Sequence, residues 1–103
     1  MTSSAQDKKR FRSIGHSLKP IVTVAQKGLT DNIKAELNRA LNEHELIKVK
    51  VAVESRENKE ALIKQIQSTV SAECIQKIGH VLLLYRPAKK PNPKLSNLLR
   101  KLD

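Results

Sequence analysis

Residues 46–53 read LIKVKVAV, and their alternation decides how the rest of the chain is parsed. Ile47, Val49, Val51 and Val53 fall on one side of an extended chain, Lys48 and Lys50 on the other. Side chains alternate across a strand, so this is a strand with one packed face and one wetter face. Working toward the N-terminus, Ile33, Leu37, Ala40 and Leu41 recur at helical spacing. They predict a helix from about Thr30 to Glu43, with Thr30 as N-cap and Asp31 at the positive end of the dipole. Before it, IVTVA at 21–25 is β-branched and short, a second strand.

Working toward the C-terminus, Leu62, Ile63, Ile66 and Val70 place a helix over 58–70. ECIQKIG at 73–79 and HVLLLYR at 80–86 are two further strands, with Gly79–His80 as the turn between them. The first segment, 7–19, reads as an amphipathic helix. Phe11, Ile14 and Leu18 lie on one face, Lys8, Arg12, His16 and Lys19 on another, and Pro20 ends it. The order is α-β-α-β-α-β-β. It predicts an α/β fold in which a four-stranded mixed sheet carries its helices as a single layer pair. Residues 1–6 read as a flexible N-terminus and 7–87 as the domain. Residues 88–103 read as a basic, proline-rich tail ending in a short amphipathic helix capped by Asn92 and striped by Leu95, Leu98, Leu99 and Leu102.

Composition narrows the partners. In 103 residues, 20 Lys+Arg stand against 10 Asp+Glu, a net +10 with pI near 10.1. The charge is segregated. Residues 1–30 carry six basic and one acidic residue, 31–76 seven and eight, and 77–103 seven and one. Two basic ends around a balanced middle point to a polyanion, with nucleic acid favoured over an anionic membrane. No run reaches the roughly 20 apolar residues of a spanning helix, and MTSSAQDKKRFRS lacks the apolar segment of a secretory signal. The lone Cys74 allows no intrachain disulfide, in keeping with a cytoplasmic location. Cys74, His16, His44 and His80 show no metal-ligand spacing, and no nucleophile–base pair is visible. Glu43 and Glu45 around His44 read as a solvated connector. The chain reads as a binding protein without a cofactor, not an enzyme.

The loop AQKG, residues 25–28, has two readings. Glycine before a helix can be a plain turn. It can also let a phosphate approach the helix N-terminus, with Lys27 adding a full charge. The nucleotide-triphosphate loop pattern is absent. Only Phe11 and Tyr85 are aromatic, too few for a reader that stacks successive bases. Backbone and shape recognition of a structured nucleic acid fits the composition better.

Three stretches carry a resemblance: HSLKPIVTVAQKGLT at 16–30, ALNEHELIKVKV at 40–51 and SAECIQKIGHVLLLYRP at 71–87. Together they resemble the CRM domain (chloroplast RNA splicing and ribosome maturation) in its bacterial single-domain, YhbY-like form. The resemblance implies a fold similar to the C-terminal domain of translation initiation factor three. It implies a G-x-x-G loop after the first strand, comparable to the backbone clamp of KH domains. It also implies association with large-subunit ribosomal precursors. Two positions depart from the family pattern: Ala25 replaces the first loop glycine, and Thr69-Val70-Ser71-Ala72 stands where T-G-A is frequent. The expected RNA contacts are Ala25, Gln26, Lys27 and Gly28, then Lys8, Arg12 and Lys19. Lys48 and Lys50 on the strand, and Arg86, Lys89 and Lys90 beyond the last strand, are accessory. The leucine-striped tail offers an alternative as a protein-recruiting arm, and a monomer is expected.

Overall fold

The computed structural model describes residues 3–100. Its elements are α1 (Ala5–Gly15), β1 (Pro20–Val24), α2 (Asp31–His44), β2 (Leu46–Val51), α3 (Arg56–Val70), β3 (Glu73–Ile78) and β4 (Val81–Tyr85). The strands form one mixed sheet in the order β1-β2-β4-β3. β1 runs parallel to β2, the pairing that α2 makes possible as a crossover. β4 is antiparallel to both β2 and β3.

The three helices begin where side chains satisfy their first free N–H groups. Ser4 accepts from Asp7, Thr30 from Ile33 and Ser55 from Asn58. Val22, Val24, Ile47, Val49, Val51, Leu82 and Leu84 project from one face of the sheet. They form the main core with Leu37 and Leu41 of α2 and Leu62, Ile63 and Ile66 of α3. The opposite face holds a second, smaller core in which Phe11 of α1 meets Leu46, Ile75 and Leu83. The expected single layer pair is therefore corrected: α1 lies across the other face, so the sheet is covered on both sides but unequally. An amphipathic stripe requires a helix to bury one side and does not specify which face of the sheet it meets.

Gly15 shows how close α1 comes. A Cβ there would stand 2.9 Å from Leu83 Cδ2, so the glycine is a contact point and not only a weak helix former. The helix stops at Gly15, and residues 16–18 continue as a turn in which Ser17 N–H donates to Ile14 and Leu18 N–H to Gly15. Lys19 therefore lies beyond α1 and not on its face. The N-terminal segment expected to be flexible is tied down in its described part. Ser3 N–H and Oγ both donate to the Glu73 carboxylate, at 2.9 and 2.8 Å.

Two further expectations are overturned. Glu45 is no solvated connector: it is 5% exposed, with φ at +61°. Its Oε1 accepts from Ser96 Oγ at 2.7 Å and its Oε2 from Ala88 N–H at 3.0 Å. The tail around Leu95–Leu99 is not a helix but two successive turns folded onto the domain. Asn92 does cap locally, accepting from Lys94 N–H at 2.9 Å. The chain then leaves helical geometry because Asn97 is held elsewhere: its N–H donates to the His44 carbonyl and its Nδ2 to the Leu46 carbonyl. Leu98 packs into the α1 core, while Leu95 and Leu99 stay exposed. Leu102 lies outside the described residues.

Candidate nucleic-acid interface

The pairing registers of the sheet place side chains in rungs. Thr23 pairs with Lys50, Lys50 with Val81, and Val81 with Ile78, so these four residues cross all four strands on the α1 side. The neighbouring rung runs from Pro20 through Lys48 and Leu83 to Gln76. A bulge between Cys74 and Gln76 sets two β3 residues against Leu83, burying Ile75 while Gln76 reaches the surface groove. α1 covers the part of this face near Leu46 and Ile75 and leaves the far rung open. Ile78, in that rung, is 63% exposed as a result; Ile21, at the irregularity near the start of the edge strand β1, is 51% exposed.

Where α1 meets the open rungs there is a groove of about 220 Å³. Gly15, Val81, Leu83 and Ile78 give it an apolar floor, and Arg12, His16 and Lys48 line it as well. Lys48 also lines an adjoining hollow together with Lys19. Arg12 and Lys19, from the first basic segment, and Lys48, from β2, thus converge on one surface. Lys50 stands one rung farther on. Among the described residues none of these four is ion-paired.

The glycine loop emerges just past the Lys50 rung, at the end of β1 opposite Lys19. Val24, the last residue of β1, lies one position past the Thr23–Lys50 pair, and its carbonyl accepts from Ala52 N–H. Ala25 to Gly28 then close a four-residue turn through Gly28 N–H donating to Ala25 O at 2.9 Å. Gly28 has φ +73°, and a Cβ built on it would meet nothing within 4 Å. Glycine is required here by the backbone conformation and not by crowding. Ala25 needs no such freedom, because it closes the strand at negative φ and stands exposed. Gln26 and Lys27 are exposed at the tip, immediately before the capped N-terminus of α2.

The remaining basic residues lie elsewhere. Lys8 is 3.8 Å from the Glu73 carboxylate, on the half of α1 away from the groove. Lys89 and Lys90 stand exposed beside Asn42 and Arg86, beyond the opposite end of β4. Arg86 differs most from expectation. Its Nη1 donates to Asn38 Oδ1 and to the Val70 carbonyl, both at 2.8 Å, and its Nη2 to the Asn38 carbonyl and Asn42 Oδ1. Four acceptors occupy its guanidinium, and burial lowers its pKa. It ties the C-terminal ends of α2 and α3 to β4 and has no free fork for a phosphate. Tyr85 is likewise engaged, its ring 4.5 Å from that of Phe11, and burial raises its phenol pKa. Burial also raises the pKa of the Cys74 thiol.

Sequence reasoning missed the anchoring set of Glu45, Ser96 and Asn97. A carboxylate between a histidine and a leucine carries no local mark of burial, and its partners Ala88 and Ser96 are 43 and 51 residues away. Among the described residues, no group of three His, Cys, Asp or Glu side chains could hold a metal ion. No described helix is long and apolar enough to cross a membrane.

Comparison with known proteins agrees with this architecture. A probable RNA-binding protein of Pseudomonas aeruginosa is 47% identical over 100 residues, spanning 97% of this chain and 96% of that protein. An RNA-binding protein of Haemophilus influenzae is 43% identical over 94 residues, spanning 91% and 95%. The solution structure of a hypothetical Staphylococcus aureus protein, a candidate RNA binder, superposes with a TM-score of 0.74 at 27% identity. It covers 86% of this chain and 93% of that one. The CRS1/YhbY (CRM) domain model matches residues 4–86. With a match of that extent and a sheet of the expected topology, the chain belongs to the CRS1/YhbY (CRM) domain family.

Proposed function

We propose that this protein binds structured RNA through its backbone, and that the RNA is ribosomal RNA in precursors of the large subunit, in the cytoplasm. The observation that carries the reading is the convergence of Arg12, Lys19 and Lys48 on adjoining hollows, from which Lys50 leads along the strands toward the end of β1 where the Gly28 loop emerges. The names of the relatives support RNA as the polyanion. Gln26, Lys27 and Gly28 receive one phosphate at the α2 N-terminus, where N–H groups and the helix dipole favour an anion. Arg12, Lys19, Lys48 and Lys50 follow the strand onward across the sheet. Ala25 preserves the turn, and Lys89 and Lys90 add long-range attraction from the opposite end. Lys8 adds charge at the margin, and Arg86 serves the fold.

Such binding depends strongly on salt, by about 0.7–0.9 in log–log slope per phosphate neutralised. The protein should comigrate with large-subunit precursors on a low-salt gradient and leave them as salt rises. Lys27→Glu should weaken binding to every RNA tested. Sedimentation only at the top of the gradient at low salt, or unchanged affinity of Lys27→Glu, counts against the proposal.

The exposure of Leu95 and Leu99 favours a second reading, in which the tail also contacts a protein. Comigration unaffected by Leu95→Ser with Leu99→Ser counts against it.

A further inference from the structure

The family match ends at residue 86, yet the next fourteen residues are fastened to the domain at several points. Besides the Glu45 and Asn97 contacts, His44 Nδ1 donates to the Leu95 carbonyl at 2.8 Å. Arg10 Nη2 from α1 donates to the Leu98 carbonyl at 3.0 Å. Ser96 is fully buried and Asn97 is 7% exposed, so this is a seated segment and not a loose arm. Its seating has a directional consequence. Asn97, held by the Leu46 and His44 carbonyls, uses its own Oδ1 to accept from Arg100 Nε at 2.7 Å. Arg100 N–H in turn donates to Ser96 O at 2.8 Å. The guanidinium is held through Nε, and among the described residues no hydrogen bond engages its terminal nitrogens. Arg100 lines a hollow of about 270 Å³ together with Lys19 and Lys48.

We propose that the docked tail completes a phosphate site for RNA, formed by Lys19, Lys48 and Arg100. Three cations from three separate segments line one hollow, and none is ion-paired among the described residues. Like charges gathered without a counter-ion repel one another, and a phosphate removes that cost. A guanidinium presents a planar fork that matches two phosphate oxygens, and orienting it beforehand reduces the entropy lost on binding. The Asn97 bond supplies that orientation. The proposal rests on the RNA-binding reading and extends the same surface with a residue outside the family match.

The test is fluorescence anisotropy with a labelled RNA hairpin across a salt series. The full chain is compared with Arg100→Gln and with Lys94→Gln, which removes an exposed tail charge that lines none of the hollows described here. Arg100→Gln should lower the log–log salt slope by about 1 and weaken affinity about fivefold at low salt, with the melting temperature lowered by no more than a few degrees through loss of the Asn97 Oδ1 bond. Lys94→Gln should leave the slope close to that of the parent protein. Equal slopes for Arg100→Gln and the parent, or an equal loss in Lys94→Gln, would overturn the proposal while leaving RNA binding intact. A parent protein that does not bind the hairpin at low salt would overturn the RNA-binding reading itself.

Discussion

The two faces of the sheet are made by the same strands and do different work. On the α2/α3 face every central strand residue is sealed: Val49, Val51, Leu82 and Leu84 are at most 1% exposed. On the α1 face the same strands alternate to Lys48, Lys50, Val81 and Leu83, of which only Leu83 is fully buried. One short helix covers half of that face, and the other half keeps cations and Ile78 in water. The sealed face supplies most of the burial that holds the fold. The half-open face leaves room for a ligand at little cost to stability.

The comparison breaks most visibly if residues one step apart are altered. Leu82 and Ile78 belong to adjacent strands, one buried at 1% and the other exposed at 63%. Leu82→Ala should cost about 3 kcal/mol in urea unfolding, as a buried leucine truncated to a cavity does. Ile78→Thr keeps a β-branched side chain and should change stability by no more than about 0.5 kcal/mol. A similar cost at both positions would show that the α1 face is far more protected in solution than its exposure implies.

The same contrast applies to the cations. Arg86→Gln strands the Val70 carbonyl and the Asn38 and Asn42 acceptors, and it should cost about 2 kcal/mol. It should leave the salt slope of RNA binding unchanged. Lys48→Gln should do the reverse, lowering the slope by about 1 with stability within about 0.5 kcal/mol. A chevron or urea titration paired with a salt series reads both quantities. A lowered slope in Arg86→Gln would return that residue to the interface.

Much of this division was legible in the chain, and the losses have physical causes. The LIKVKVAV alternation identified the packed face and the lysine face, and Thr30 marked the start of α2, because both are local patterns. The side of the sheet taken by α1 was not legible, because Phe11, Ile14 and Leu18 would suit either face. The role of Arg86 was hidden too: a cation after a strand reads as exposed until α2 and α3 bring four acceptors to it. The leucine stripe of the tail fitted a helix by spacing. Bonds from His44, Glu45 and Leu46, all distant in sequence, then held it as turns.

Two residues with positive φ sharpen the contrast on the smallest scale. Ser71 closes α3 at φ +51°, ψ +46°, the left-handed well, and its N–H donates to Gln67 O. Among the described residues its side chain makes no hydrogen bond that would justify the conformation, and its position is exposed. Glycine adopts that conformation without the steric cost borne by a Cβ, although its unfolded chain is also freer. Ser71→Gly should therefore stabilise by about 0.5 kcal/mol and leave RNA binding unchanged. Glu45, at φ +61° with ψ −44°, lies outside that well, so its backbone is the more strained of the two. Glu45→Gly should nonetheless destabilise, because it removes the carboxylate that holds buried Ser96 and the Ala88 N–H. Thermal melts of the two variants should move in opposite directions. A gain in both would mean that the tail contacts of Glu45 add less than its strained backbone costs, and a seated Arg100 would lose its foundation.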